Sequence, residues 1–421
     1  MRTDTLRPSG QPSLRSAAMR GSPLRLLLLP WVLAAVCLLA ACGGTTVVFH
    51  TQPVTVAQPV AQAPTQAGLP ALATKNTTRI AGGDPVTDAA FVALAVYPSA
   101  APRTHPTVVT LAPTSDWQAA IASSVLMAAP VGAPILLSGS GSMPTITSQA
   151  LRRMAPAGSG ALAGAQLIRV GSVPNVPGMH SIAIGGGDPY TLAAAINRFA
   201  DAASGSPSSN VVIASGDNPA YAMPAAGWAA ESGDPILFVT SSGVPAATER
   251  ALLSDQHPHI YVLGPPSVIP SSVVSQLRKF GTVNRVSGGD PAANSVAFAA
   301  YRDPPCAGGQ PCAHVPGSFG WALRSPGHGY VLINAARPLD AAAAAPLSAS
   351  GSFGPQLLIT DPGTLPTSVV NYFLNYATPG YTAEGPTAAV YNHGWMIGDQ
   401  SAISVSVQAE TDSLLEAVPQ K

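Results

Sequence analysis

The sequence predicts an α/β protein in which a parallel-sheet unit of about 100 residues occurs three times. The tetrapeptide Gly-Gly-Asp-Pro recurs at residues 82–85, 186–189 and 288–291, and its aspartates are 104 and 102 residues apart. Short apolar runs alternate with alanine-rich stretches of helical character along the rest of the chain. This alternation is typical of βα units built around a parallel sheet.

Each unit begins with a short strand, the Gly-Gly-Asp-Pro turn and a helix. The strands are predicted at 79–81, 182–184 and 285–287, and the helices over 88–96, 191–203 and 292–301. We therefore place the units at 78–180, 181–283 and 284–421, the last being lengthened by an insertion near residues 306–320.

A strand, a small-residue helix and a second strand follow in every unit. The first strands are predicted at 107–111, 210–214 and 330–334, and the second at 134–137, 235–238 and 355–359. Each second strand begins at a proline, and runs such as Pro-Ile-Leu-Leu at 134–137 are apolar on both faces. Such a strand is expected where helices cover both sides of a sheet.

A third strand with its helix closes each unit. It is clearest at 259–264, where the helix extends to Phe280, and it recurs at 388–391 and 397–398 with a helix to Val418. The first unit has a weaker form at 166–171.

The motifs, and the order in which they follow one another within a unit, resemble those of the cell wall-binding repeat 2 family. Members of that family usually have three tandem copies of the repeat. The matching segments are Arg-Val-Ser-Gly-Gly-Asp at 285–290, Val-Val-Ile-Ala-Ser-Gly at 211–216, Pro-Ile-Leu-Leu at 134–137 and Tyr-Val-Leu-Gly at 261–264. Over about residues 79–418, the resemblance implies Rossmann-like repeats around a pseudo-threefold axis, with no catalytic activity. It also implies non-covalent adhesion to anionic polymers of the cell wall.

The chain departs from the family pattern at two motifs. Where the family often has Arg after the Asp of the first motif, this chain has Pro85, Pro189 and Pro291. The middle Gly-x-x-x-x-Asp-Ala motif survives loosely at Asp116 and Asp340, and the second unit has Tyr221 nearby.

The amino-terminal segment is typical of an export signal that ends at a lipid attachment site. Five arginines precede the apolar run 26–41, whose 16 residues are fewer than the roughly 20 that span a membrane but suit a signal peptide. The run ends in Leu-Ala-Ala followed by Cys42, which resembles the lipobox of bacterial lipoproteins. We predict a signal peptide over 1–41, starting at Met1 or Met19, and a lipid (palmitate included) on Cys42. The alternative is an ordinary secretory signal.

The lipid would hold the protein on the extracytoplasmic face of the cell membrane. Residues 42–77, rich in Pro, Gln, Thr, Ala and Val, are predicted to be a flexible tether. Beyond residue 41, acidic side chains outnumber basic ones by four. This balance argues against nucleic acid as a partner, because such binding rests on neutralising phosphates.

Two cysteines remain after Cys42. Cys306 and Cys312 form an isolated pair, which in an oxidising compartment predicts a local disulfide. The alternative is a zinc site that would need two more ligands, for which His314 and His328 are the nearby candidates.

The aspartates of the three tetrapeptides allow two interpretations. Asp84, Asp188 and Asp290 could form a ligand or cation site repeated three times. The local spacing favours a helix cap instead, with Asp preceding the helix and Pro in its first turn.

Other short motifs are incomplete as chemical sites. The triple glycine at 185–187 has Tyr190 where a dinucleotide fingerprint needs its last glycine. Ser-Gly-Ser-Gly-Ser at 138–142 lacks the order of a nucleophile elbow, and His-Pro-His at 257–259 lacks further ligands. Four tryptophans could be sugar-stacking platforms or core residues, and the helical positions of the first two favour the core: Trp117, Trp228, Trp321 and Trp395.

No catalytic residue, metal ligand or cofactor is therefore predicted, and the ligand-binding residues stay unassigned. The leading hypothesis is a non-catalytic, lipid-anchored surface protein that binds a cell-wall glycopolymer through three tandem repeats. The alternative is a solute-binding lipoprotein of a transport system, which requires two lobes, a hinge and a cleft. An enzyme ranks third, since the sequence offers no nucleophile with a matching base.

Overall fold

A computed structural model describes residues 71–303, 319–321, 327–351, 353–378, 380–381 and 391–419. The chain divides into two units, 1–61 and 62–421, and all described residues belong to the second. The predicted signal peptide, Cys42, the tether up to residue 70, and the pair Cys306 and Cys312 lie outside the described residues.

Strands and helices alternate along the described chain. The strands are β1 (Ala71–Ala73), β2 (Thr77–Ile80), β3 (Val109–Pro113), β4 (Ile135–Ser138), β5 (Leu167–Val170), β6 (Ser181–Ile184), β7 (Asn210–Ser215), β8 (Ile236–Val239), β9 (His259–Leu263), β10 (Thr282–Val286), β11 (Gly329–Asn334), β12 (Gln356–Ile359), β13 (Gly380–Tyr381), β14 (His393–Ile397) and β15 (Val418–Pro419). The α-helices are α1 (Pro85–Val96), α2 (Trp117–Ala122), α3 (Thr145–Met154), α4 (Pro189–Ser204), α5 (Pro219–Ala222), α6 (Pro224–Ser232), α7 (Ala246–Ser254), α8 (Ser271–Leu277), α9 (Pro291–Ala299), α10 (Pro338–Ser348), α11 (Thr367–Asn375) and α12 (Val405–Leu414).

Three parallel sheets share one strand order, which confirms the predicted α/β class. The first sheet is β4-β3-β5-β6, the second is β8-β7-β9-β10, and the third is β12-β11-β14-β2, to which β1 adds an antiparallel edge strand. The first two strands in each of these orders are largely apolar on both faces because helices cover both sides. All residues of β3, β4, β7, β8, β11 and β12 are buried.

The strand that opens each predicted unit belongs to the sheet of the unit before it. β6 pairs with β5, β10 pairs with β9, and β2 pairs with β14 of the carboxyl-terminal sheet. The helix after each Gly-Gly-Asp-Pro then packs against the next sheet: α1 on β4, α4 on β8 and α9 on β12. Each unit is thus tied to its neighbour by a strand and a helix, and β2 closes the three units into a ring.

Helices α2, α6 and α10 pack on one another where the three units meet. Most of their side chains are small, and alanines 341–345 of α10 are fully buried. Short side chains allow the helix axes to approach closely, so one hydrophobic cluster runs through all three units. No helix of the described chain is long and apolar enough to cross a membrane.

The Gly-Gly-Asp-Pro turn recurs because the backbone turns back against the first turns of the helix that follows it. A Cβ on Gly288 would lie 2.2 Å from the carbonyl carbon of Ala293, which no side chain tolerates. Gly82 and Gly186 are equally crowded, with nearest atoms at 2.3 and 2.6 Å. The second glycine has no such constraint, since a Cβ on Gly289 would meet nothing within 4 Å.

The aspartates of the turns cap helices, as the spacing favours. The Asp84 carboxylate accepts hydrogen bonds from the backbone N–H of Val86 and Thr87 at 2.9 and 3.1 Å. Asp188 caps α4 in the same way, and Asp290 accepts from a backbone N–H in the first turn of α9. A proline at the first helical position has no N–H to satisfy there.

Candidate functional site

The carboxyl ends of the strands are the first place to look for a ligand site. In each sheet the chain goes from a central strand to the strand on one side of it and then crosses to the other side, which creates a topological switch point. Ligands of open α/β sheets usually bind outside the carboxyl ends of the two strands at such a point. The three switch points lie between β3 and β5, between β7 and β9, and between β11 and β14.

Carboxylates dominate the turns at this end of the sheets. Exposed or partly exposed aspartates follow the strands of every unit: Asp84, Asp116, Asp188, Asp217, Asp290, Asp361 and Asp399. The described arginines at or next to the carboxyl ends of strands each bind groups of the protein itself: Arg79, Arg169, Arg285 and Arg337. This acidic surface is therefore unsuited to an anionic polymer.

The arginine of the Arg-x-x-Gly motif fixes the loop after the neighbouring strand. Arg79, which is 2% exposed, donates to the carbonyls of Gly398 and Asp399 at 3.0 Å and also to Ser404 O and Gln408 Oε1. Burial lowers the pKa of its guanidinium to about 10, which leaves it charged at neutral pH.

Arg285, on β10, repeats this arrangement in the second sheet. Its guanidinium donates to the carbonyl of Gly264, the residue after β9, and at 2.8 Å to that of Ile269. In the first sheet, Ala183 on β6 occupies the corresponding position. A motif arginine that could be mistaken for a polymer contact thus has a structural role.

A buried ion cluster joins the amino ends of α1 and α10. Arg337 Nη2 lies 2.7 Å from Asp88 Oδ2, and its Nε lies 2.7 Å from Asp340 Oδ2. Asp88 also accepts a hydrogen bond from the backbone N–H of Gly82 at 2.8 Å. Both carboxylates are fully buried and share one guanidinium.

Burial is the main cause of the shifted pKa values in this cluster. Burial, together with the nearby Asp340 carboxylate, raises the pKa of Asp88 to about 9, against the opposing effect of Arg337. Burial likewise raises the pKa of Asp340 to about 7, against the opposing effect of Arg337. The cluster is not repeated at the other two turns. Leu192 and Asn294 occupy the positions that correspond to Asp88, and neither has a carboxylate.

Basic side chains lie mainly at the opposite, amino-terminal ends of the strands. Some of these exposed residues lie in segments that lead into a strand, and the others lie at or just beyond the carboxyl end of a helix. They are Lys75, Arg103, Arg152, Arg153, Arg278, Lys279 and Arg302. The described histidines lie at or shortly before the amino ends of strands as well: His105, His180, His257, His259, His328 and His393. We call these segments the basic rims.

The remaining predicted residues are not brought together as a catalytic or metal site. The Ser138 hydroxyl donates to the carbonyl of Gly139, in the loop after β4, whereas His257 and His259 are exposed at the start of β9. Within the described ranges, no group of three His, Cys, Asp or Glu residues is placed to hold a metal ion.

The tryptophans of the central helices pack in the core. Trp228 is 8% exposed, and its ring packs edge-on against Trp321 at 5.3 Å. Trp117 packs edge-on against Phe238 at 5.7 Å. Trp228 is thus a core residue, as favoured, whereas Trp117 is partly buried and packs against the core.

Comparison with known proteins supports the predicted resemblance. Residues 183–274 match the family model described as cell wall binding domain 2. No curated protein matches the sequence. Cwp6 from Clostridium difficile superposes with a TM-score of 0.60 and 18% identity, over 81% of this chain and 48% of that one. Cwp8 from the same organism gives 0.57 and 18%, over 82% and 53%.

The chain spans about half the length of these two proteins, and the likeness shows a shared fold. The predicted resemblance to the cell wall-binding repeat 2 family is confirmed by the match in the second unit. These findings support a cell-wall-associated protein of the cell surface.

Proposed function

Because its second unit matches cell wall binding domain 2, we propose that this protein is a non-catalytic, lipid-anchored surface protein that binds a cell-wall glycopolymer. The family match is the observation that carries the proposal. The lipid is attached to Cys42, and residues 43–70 connect it to the folded repeats.

The distribution of charge supports a polymer interface at the basic rims. An anionic wall polymer is attracted to exposed Arg and Lys and repelled by the aspartates at the carboxyl ends of the strands. The chain also enters the folded region at the acidic end of the third sheet, because Ala71 pairs with Ile80, the last residue of β2. The basic rims lie at the other end of the strands.

A ring of three sheets is a poor basis for the alternative, a solute-binding lipoprotein. That function requires two lobes that close on a cleft through a hinge. Here strands and helices cross from each unit into the next, which opposes such a hinge.

Wall binding is tested with the mature protein carrying Cys42→Ser, which removes the lipid. We expect it to co-sediment with protein-free cell walls of its own species at low salt and to be released as salt is added. The double variant Arg152→Glu/Arg278→Glu should bind about tenfold more weakly, because two rim cations become anions. The matched control is Arg198→Glu/Arg250→Glu, at exposed mid-helix positions. Failure of the unaltered repeats to pellet at low salt contradicts the proposal.

The anchor is tested separately in cells. The wild-type protein should fractionate with membranes and enter the detergent phase, and its amino-terminal peptide should carry a diacylglycerol by mass spectrometry. Cys42→Ser should release it, because one or more acyl chains supply the membrane affinity. A mature amino-terminal peptide that carries no diacylglycerol shows that Cys42 is not the anchor.

A further inference from the structure

The tether enters the fold through a strand that the first two units lack. Among the described residues, the first and second parallel sheets each have four strands, whereas β1 adds a fifth strand to the third sheet. β1 covers the outer edge of β2, while β6 and β10, the counterparts of β2, are the edge strands of their sheets. The extra strand is therefore a feature of the tether's entry point and not of the repeat.

Helix α12 holds the turn that follows β1. Asp412 Oδ1 accepts hydrogen bonds from the Thr74 hydroxyl at 2.6 Å and from the backbone N–H of Asn76 at 2.7 Å. The side-chain amide of Asn76 donates to the Asp412 carbonyl at 2.9 Å and to Glu416 Oε2 at 3.1 Å. Asn76 is 3% exposed, so these bonds are shielded from water. We call this set of contacts the terminal clasp.

One turn earlier on α12, Gln408 binds the strands on both sides of this turn. Its amide nitrogen donates to the Leu72 carbonyl at 3.2 Å and to the Thr77 hydroxyl at 3.1 Å. Its side-chain oxygen accepts from Arg79 Nε at 2.9 Å. Later residues of α12 thus bind earlier residues of the entry segment, because the helix runs back toward the amino ends of β2 and β14. A single helix of the third unit therefore fixes β1, the turn and β2.

β1 lies along the direction in which the tether pulls. Ala71 pairs with Ile80 at the carboxyl end of β2, Ala73 pairs with Thr78 nearer its amino end, and the terminal clasp lies beyond Ala73. A pull on Ala71 away from the amino ends of the strands is parallel to β1 and loads its hydrogen bonds and the clasp together. A pull across the sheet breaks the same bonds one after another. Bonds that share a force resist it better than bonds that break in sequence.

We propose that β1 and the terminal clasp are a force-bearing attachment that protects the closed ring when the tether is under tension. The inference rests on the proposed function, because the protein is stretched only if lipid holds one end and a wall polymer holds the other. The tether enters at the carboxyl end of the third sheet, and the basic rims lie at the amino ends of the strands. Without this attachment, the tension acts directly on β2, the strand that closes the ring.

Magnetic tweezers on the mature Cys42→Ser protein test the direction of resistance. One handle is joined through an amino-terminal tag. The other is joined to an azide-bearing residue in place of Ser413, exposed near the end of α12, which gives a pull parallel to the strands. In a second version the azide replaces Thr360, exposed after β12 at the opposite edge of the sheet, which gives a pull across the strands. We expect the first event, a release of roughly 20 Å for residues 71–76, to need a higher force in the parallel pull.

A substitution tests the terminal clasp itself. Asp412→Ala should raise the rate of the first event at constant parallel force by about tenfold or more, because it removes the acceptor of two hydrogen bonds. The matched control is Glu410→Ala, at an exposed position of the same helix, which should leave the rate unchanged. The comparison of the two pulling directions uses an intact clasp, so it does not depend on how well the Asp412 variant folds.

Three results overturn the proposal. They are equal forces in the two directions, equal rates for Asp412→Ala and Glu410→Ala, and a first event in the parallel pull that unfolds a whole unit while residues 71–76 stay attached. The handles take the place of the lipid and the polymer, so none of these results depends on Cys42 or on wall binding. If the repeats fail to pellet with cell walls, the proposed function fails, and the strength of the clasp is still measured.

Discussion

Replacing Arg337 with methionine is expected to lower the free energy of unfolding by about 3–5 kcal/mol. The guanidinium is the shared partner of the Asp88 and Asp340 carboxylates, both fully buried. Methionine fills a similar volume but leaves two buried carboxyl groups without their cation. Each must then either stay protonated or be ionised with no counter-charge in a desolvated site, and breaking a buried ion cluster in this way is costly.

The loss should depend on pH in a defined direction. The pKa values of Asp88 and Asp340 are already raised in the folded protein, to about 9 and about 7, and loss of Arg337 raises them further. The folded variant then binds more protons than the unfolded chain, so its stability rises as the pH falls toward the unfolded pKa near 4. Urea denaturation should show that the free energy of unfolding of Arg337→Met differs less from that of wild type at pH 5 than at pH 8.

The control for Arg337 is the exposed pair of Lys75 and Glu416. Their side chains are 63% and 38% exposed, and such pairs are screened by water and salt. Lys75→Met should therefore leave the urea midpoint nearly unchanged. If Arg337→Met shifts the midpoint no more than Lys75→Met does, the buried cluster does not contribute as we infer.

Replacing Arg79 with alanine is expected to destabilise the protein by about 3 kcal/mol or more. Four hydrogen bonds are lost, and three of them leave backbone carbonyls of the third unit without this donor. Because Arg79 lies on β2, these bonds join the amino-terminal strand to the carboxyl-terminal sheet. Hydrogen exchange should increase first in β2 and β14, before it increases in the first two sheets.

Arg285→Ala is the matched comparison for Arg79→Ala. It removes the corresponding arginine of the second sheet, which is only partly buried and donates to two backbone carbonyls. Its strand β10 also follows directly in the chain after the sheet that it completes. We expect a smaller loss of stability and local exchange limited to β9 and β10. Equal losses for the two variants contradict a special role for Arg79 in closing the ring.

Local sequence patterns were sufficient for the individual elements. The apolar runs at 134–137 and 235–238 became β4 and β8, and Asp84 caps α1 as its spacing favoured. These features depend on residues within a few positions of each other, so they leave a signal in a short window. The recurrence of Gly-Gly-Asp-Pro also has a local cause, the close approach of the first glycine to the next helix.

Partners that are distant in the sequence could not be inferred in this way. Residues 71–77 fall in the predicted tether, yet β1 lies there and pairs with β2. β2 in turn pairs with β14, more than 300 residues away. Nothing in a four-residue strand specifies which sheet edge it joins, because that choice depends on the packing of the helix that follows it.

The sequence by itself determined the repeats, their strands and helices, and the resemblance to cell wall-binding repeats, because these follow from local hydrophobic period and turn chemistry. Only the tertiary structure decided that the motif arginines bind backbone carbonyls, that Arg337 lies between Asp88 and Asp340, and that α12 holds the turn after β1. Each of these rests on contacts between residues far apart in the chain. The physical reason is that a charged or aromatic side chain has the same local signature whether it faces a ligand or the protein itself.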